Sequence, residues 1–212
     1  MRLTTQSIAA IAGLSLATAG VVAVPYLASS ASLQQPGWGP MHQGQMHRGR
    51  MMHHMQATNE FEFLSLMIPH HQEAIATAER VLEYSDRPEM LEFAQNIITV
   101  QSAEIEQMEA WLGEWYAGQE TDLIYAPMMR DLNQLEGDAL DQAFLKDMVM
   151  HHMGAVMMSQ QLLNHGLVEH QPVQPFAQTI ANTQRQEIGQ MQAWLQDWYG
   201  VSGMPDRMHR GQ

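Results

Sequence analysis

Residues 41–55, MHQGQMHRGRMMHHM, place nine Met or His side chains in fifteen positions of a chain that contains no cysteine. Thioether sulfur and neutral imidazole suit Cu(I) and Ag(I), imidazole alone suits Cu(II), Zn(II) or Ni(II), and none of these ions needs a thiolate. In this tract His42, His47, Met51, Met52, His53, His54 and Met55 are candidate ligands. Segment 32–57 has few aliphatic residues and carries Gly37, Gly39, Gly44 and Gly49, so it is expected to be flexible until an ion orders it. An inert linker is the competing reading. The C-terminal tail, 201–212, repeats the theme, with Met208-His209-Arg210-Gly211 echoing Met46-His47-Arg48-Gly49.

The same residue types return at helical spacing in the middle of the chain. Met67, His70 and His71 form a Met(i)/His(i+3)/His(i+4) set, and Met148, His151 and His152 form another. On a helix this places a thioether beside two imidazoles on adjacent turns, an arrangement able to ligate copper. At 100° per residue His71 falls on the apolar stripe of Leu64, Met67, Ile75, Ala78 and Leu82, and His152 on that of Leu145, Met148 and Val156. His70 and His151 fall at the margins of those stripes. The plain alternative for an inward histidine is a core residue hydrogen-bonded to Gln101, Gln184 or a carboxylate. Met108 and Met191 lie on the inward faces of two further helices, where methionine also serves simply as core filler. Met153, Met157 and Met158 add sulfur to the helix that carries the second pair.

These motifs belong to an internal duplication. Phe63-Leu64, Met67, His70-His71 and Ala74 return 81 residues later as Phe144-Leu145, Met148, His151-His152 and Ala155. Ala94, Gln101, Glu104-Ile105, Met108, Trp111-Leu112 and Trp115-Tyr116 return after 83 residues as Ala177, Gln184, Glu187-Ile188, Met191, Trp194-Leu195 and Trp198-Tyr199. Neither copy could bury its apolar faces alone, so two helical hairpins must pack together.

Local signals set the helix ends. Asn59 caps a first helix, with Glu62 at the third position, running to Tyr84. Pro88 opens a second, ending near Tyr116. A third spans Asp138 to His165 and stops at Gly166; the fourth follows a loop carrying Pro172 and Pro175 and closes at Gly200. Pro69 should bend the first helix just before its His pair. The prediction is an all-α, antiparallel four-helix bundle over 58–200, built from repeats 59–116 and 138–199. Segment 117–137 joins them, with a short crossover helix at Pro127–Leu132. The four tryptophans at helix ends read as bundle caps.

Residues 1–31 carry Arg2, an apolar run from Ile8 to Val24 and small residues ending in Ala31, which reads as a secretory signal peptide. Left uncleaved, the same run would anchor the protein to a membrane. The expected location is the periplasm. A formal charge of −13 argues against nucleic acid as a partner. Absence of cysteine rules out disulfides as a source of stability.

The Met-Ile-Pro-His-His-x-x-Ala stretch at 67–74, its counterpart at 148–155, and Gln-x-x-Glu-Ile-x-x-Met-x-x-Trp-Leu at 101–112 and 184–195 resemble a bacterial domain-of-unknown-function family with a ferritin-like bundle. That family includes a cyanobacterial periplasmic copper-binding protein. The resemblance spans residues 60–200. It implies a periplasmic role in copper resistance, binding Cu(I), Cu(II) or, as a surrogate, Ag(I) through Met67, His70, His71, Met108, Met148, His151, His152 and Met191. The family often has Met seven residues after the first His of the pair; Met158 keeps it in the second copy, but the first has Thr77, so unequal sites are expected.

The leading functional reading is therefore a non-catalytic protein that sequesters or shuttles copper, with metal ions as its partners and a copper efflux system as a recipient. A ferritin-like di-metal oxidase would need inward carboxylates and Glu-x-x-His pairs. No Glu-x-x-His occurs in the chain. A structural or partner-binding bundle is the third reading, and it predicts no tight metal binding.

Overall fold

The computed structural model describes residues 57–201. Four helices follow in order: α1 (Glu60–Tyr84), α2 (Pro88–Trp115), α3 (Gly137–Asn164) and α4 (Val173–Tyr199). The Asn59 side chain accepts the Glu62 amide at 2.8 Å. Glu62 in turn takes the amide and hydroxyl of Thr58, each at 2.7 Å, so the reciprocal half of the cap reaches one residue further back than a capping box would place it. α1 passes through Pro69 as one helix. α3 ends in a Schellman turn, with Leu167 N–H donating to Leu162 C=O at 3.0 Å over Gly166, whose φ of 64° is left-handed. Pro175 is not in the loop before α4, as the sequence suggested; it occupies the first turn of the helix, where a missing N–H costs nothing.

The two ends of the bundle show how the helices are strung. At one end Glu60, fully buried, accepts the amides of Glu169 (2.7 Å) and His170 (2.9 Å), the His170 ring at Nδ1 (2.7 Å) and the Tyr116 hydroxyl (3.1 Å). This ties the start of α1 to the end of α2 and to the α3–α4 loop. At the other end Arg87 donates to Asp138 at 2.7 Å and lies 4.6 Å over the Trp198 ring, joining the starts of α2 and α3 to the end of α4. The two helices of each hairpin are therefore antiparallel, α2 and α3 run in the same direction, and α1 and α3 pack against each other in opposite directions at the centre. Stacked tryptophans close each end: Trp111 on Trp115 and Trp194 on Trp198.

The apolar interior divides in two. One cluster holds Phe63, Leu64, Met67, Met108, Met158 and Leu162, and the other Val81, Met90, Phe93, Phe144, Met148, Met191 and Leu195. Each large side chain removed from water contributes about 1.5–3 kcal/mol before entropy is counted. Between the clusters lie the histidines.

The segment joining α2 to α3 contains no helix at Pro127–Leu132, against expectation. Side chains of α1 satisfy its backbone instead. Glu73 accepts the amides of Met128 and Met129 at 2.9 and 3.0 Å, and Arg80 donates to the carbonyls of Leu132, Asn133 and Leu135 at 2.7–3.0 Å. With those groups already paired, a helical turn would gain little.

Replacing the buried Glu60 by Ala removes the acceptor of two part-buried amides, the His170 ring and the Tyr116 hydroxyl, and should cost about 1–3 kcal/mol. A urea titration of this variant should show a lower midpoint at unchanged slope; an unmoved midpoint would mean that the carboxylate does not hold the α3–α4 loop.

Candidate metal centre

His70, His71, His151 and His152 are all fully buried. The sequence placed His70 and His151 at the margin of their stripes. They are not marginal, because α1 and α3 pack directly against each other there, and the two rings lie one on the other with centroids 3.7 Å apart and planes tilted by 32°. The expected positions 70 and 151 are related by the duplication, so this stack marks the approximate twofold of the molecule.

The hydrogen bonds fix the tautomers of three rings. His70 Nε2 lies 3.0 Å from the carbonyl of His151, His71 Nε2 lies 2.7 Å from Glu104 Oε2, and His152 Nε2 lies 2.8 Å from Glu187 Oε2. Carbonyl and carboxylate oxygens only accept, so Nε2 donates and, in a neutral ring, Nδ1 keeps its lone pair. His151 Nε2 sits 3.2 Å from Glu73 Oε2 without hydrogen-bond alignment. The Nδ1 atoms of all four rings are buried and have no hydrogen-bond partner. A buried polar atom left unpaired costs about 1–3 kcal/mol. Each of these nitrogens is a potential ligand for a soft or borderline cation, and Glu104 and Glu187 orient the rings of His71 and His152 from behind as carboxylates do in histidine–metal sites.

Sulfur surrounds this layer unevenly. Met67, Met108 and Met158 belong to one apolar cluster and Met148 and Met191 to the other; all five are fully buried. The sixth position falls to Thr77, whose hydroxyl turns back to the carbonyls of Glu73 (2.7 Å) and Ala74 (3.1 Å) on its own helix. Among the described residues no group of three His, Asp or Glu side chains converges to hold a metal ion. Thioethers in both flanking clusters border the layer, so sulfur donors stand beside the imidazoles.

Glu73, Glu104, Glu187 and Tyr125 are members of the site that the sequence did not mark as functional. Glu104 and Glu187 recur across the duplication beside the inward faces, a signal that was present. Glu73 has Gly154 as its counterpart and gives no such signal. It accepts the Tyr125 hydroxyl, and the Tyr125 ring stands edge-on 6.0 Å from that of His70. A shallow indentation between α2 and α4 with room for little more than one water, about 10 Å³, is lined by Gln101, Gln184 and the two carboxylates that hold His71 and His152, Glu104 and Glu187. The candidates His42, His47, Met51, Met52, His53, His54 and Met55 lie outside the described residues.

The model of a family described as "Domain of unknown function (DUF305)" matches residues 26–112, 60–126, 123–195 and 141–212. Solved structures of CopM in Cu(I)-bound and Ag-bound forms are 33% identical to the chain with a TM-score of 0.60, covering 68% of it and 100% of CopM. The Cu(II)-bound form of CopM gives 33% identity and a TM-score of 0.59. A DUF305 fragment from Deinococcus radiodurans is 31% identical, with a TM-score of 0.57 over 66% of this chain and 97% of the fragment. No curated protein sequence matches it. With its helical duplication, paired histidines and matched length, the chain belongs to the DUF305 family.

Proposed function

We propose that this protein binds copper in the layer between its two apolar clusters and sequesters or shuttles it without catalytic turnover. The observation that carries the reading is the set of four buried Nδ1 atoms without partners, flanked by five buried thioethers. Neutral imidazole and thioether together fit Cu(I), and imidazole extends the fit to Cu(II). The Cu(I), Cu(II) and Ag forms of CopM support the same assignment. Met67, His70, His71, Met108 and Met158 supply one set of donors, and Met148, His151, His152 and Met191 the other. The signal-like residues 1–31 favour action in the periplasm, as part of copper resistance, with delivery to an efflux system and a first capture by the 41–55 tract. No helix among the described residues is long and apolar enough to cross a membrane.

Residues 32–212, titrated with Cu(I) against a chromophoric chelator in parallel with Zn(II), should bind Cu(I) tightly and Zn(II) far more weakly. Substituting His71→Ala together with His152→Ala should weaken the tightest Cu(I) step at least tenfold, and more than deletion of 41–55 does. If the deletion alone abolishes binding, the bundle site is wrong.

The unequal sulfur supply makes a separate prediction. Thr77→Met should bring the weaker step toward the stronger, by about tenfold, as seen in the separation of the two competition steps. An unchanged separation would show that position 77 does not reach the ion.

Burial, reinforced by the neighbouring imidazoles, holds His70 well below the usual histidine range. Burial likewise pushes His151 down to about 4, against the opposing pull of Glu73. Between pH 6.5 and about 4 the unfolded chain then binds protons that folded His151 refuses, so stability falls as the pH falls, by about 1.4 kcal/mol per pH unit for each such ring. Above pH 6.5 these rings contribute no pH dependence. Urea midpoints of the apoprotein from pH 8 to pH 4 should be flat and then decline; a flat profile throughout would show that the rings protonate in the folded state.

A further inference from the structure

Methionine inside a bundle is explained by packing, but methionine on its outside is not. Among the described residues the exposed large apolar side chains are Leu123, Ile124, Met150 (47%) and Met157 (44%). Both methionines are on α3, and Met153 between them is half-buried, resting against the cluster that holds Phe144, Met148 and Met191. Residues i, i+3 and i+7 lie at 0°, 300° and 340° around a helix, so the three share an arc of about 60°. Met150 and Met157 are separated by about 10 Å along the axis, with Met153 one turn from each.

The duplication shows that the scaffold does not ask for sulfur here. The corresponding residues of α1 are Pro69, Gln72 and Ala76. Gln72 and Ala76 are exposed, like the positions they match or nearly so, and α1 forms the same helix without them. One face of one copy therefore carries three flexible thioethers where the other carries none, and core filling accounts for Met153 only in part and for the exposed Met150 and Met157 not at all. Unbranched side chains with three rotatable bonds can bring three sulfurs on successive turns to a common ion. Such an all-thioether set selects Cu(I) or Ag(I) over Zn(II), Ni(II) and hard cations.

We propose that Met150, Met153 and Met157 form a surface site for one soft monovalent cation, distinct from the buried layer. Lys146, one turn before Met150, places a positive charge beside the stripe, so this site fills after the buried one. An exposed, weaker thioether site on the helix that carries His151 and His152 suits exchange of the ion with an external donor or acceptor. It stands on the exposure and repeat asymmetry of the stripe and does not require the buried layer to bind.

The test uses residues 32–212 labelled with ¹³C at the methionine methyls and titrated with Ag(I). The triple variant Met150→Leu, Met153→Leu, Met157→Leu keeps side-chain volume and helix propensity, and an unchanged circular dichroism melt verifies the fold. The expected result is loss of one Ag(I) equivalent in the variant with the tightest step unmoved. In the His71→Ala, His152→Ala protein the three methyl resonances should still shift on Ag(I) addition. Full stoichiometry in the leucine variant, or methyl signals of 150, 153 and 157 that ignore Ag(I), overturns the surface site. Failure of the buried site would show instead as a tightest step indifferent to His71 and His152.

Discussion

The bundle is organised around the stack of His70 on His151. A polar ring in the centre of a helical bundle costs free energy unless its hydrogen-bonding atoms are satisfied, and here the protein pairs one nitrogen of His70, His71 and His152 and neither nitrogen of His151. His70 donates to the His151 carbonyl, and His71 and His152 donate to Glu104 and Glu187 on the neighbouring hairpin partners. Those bonds orient the rings and fix which nitrogen keeps a lone pair. The remaining Nδ1 atoms are unpaired at a free-energy cost that well-packed apolar residues would avoid. The two apolar clusters on either side supply the surplus stability that lets this layer persist.

Much of the architecture was legible in the sequence because duplication and capping state it twice. The four helix spans, the left-handed glycines 166 and 200 and the inward course of Met67, His71, Met148 and His152 all follow from periodicity and turn chemistry. What periodicity missed was the width of the buried arc. A helix packed on one neighbour buries a single stripe, but α1 and α3 meet both each other and their hairpin partners, so His70 and His151 are covered as fully as His71 and His152. The crossover was misread for a different reason. Pro127-Met128-Met129-Arg130 has the look of a helix start, yet Glu73 and Arg80, more than 45 residues away in sequence, take up its backbone groups. Long-range side-chain to main-chain bonds leave no local pattern.

The same bonds explain why the two copies have diverged. The crossover lies across both central helices but leans on them differently: α1 takes its main-chain groups through Glu73 and Arg80, whose counterparts on α3 are Gly154 and Gln161, while α3 holds it at Arg130 through Asp147. α1 must therefore spend its face beside the histidines on holding the crossover, and Thr77 there bonds to its own helix. On α3 the crossover is held nearer the start of the helix, at Ala143 and Asp147, before the His pair. The equivalent positions of α3 are free to hold sulfur, and they do: Met158 within, and Met150 and Met157 without. A twofold scaffold joined by one asymmetric connection thus yields a histidine layer with unequal halves, and the inequality follows the different places at which the connecting chain is tied to α1 and to α3.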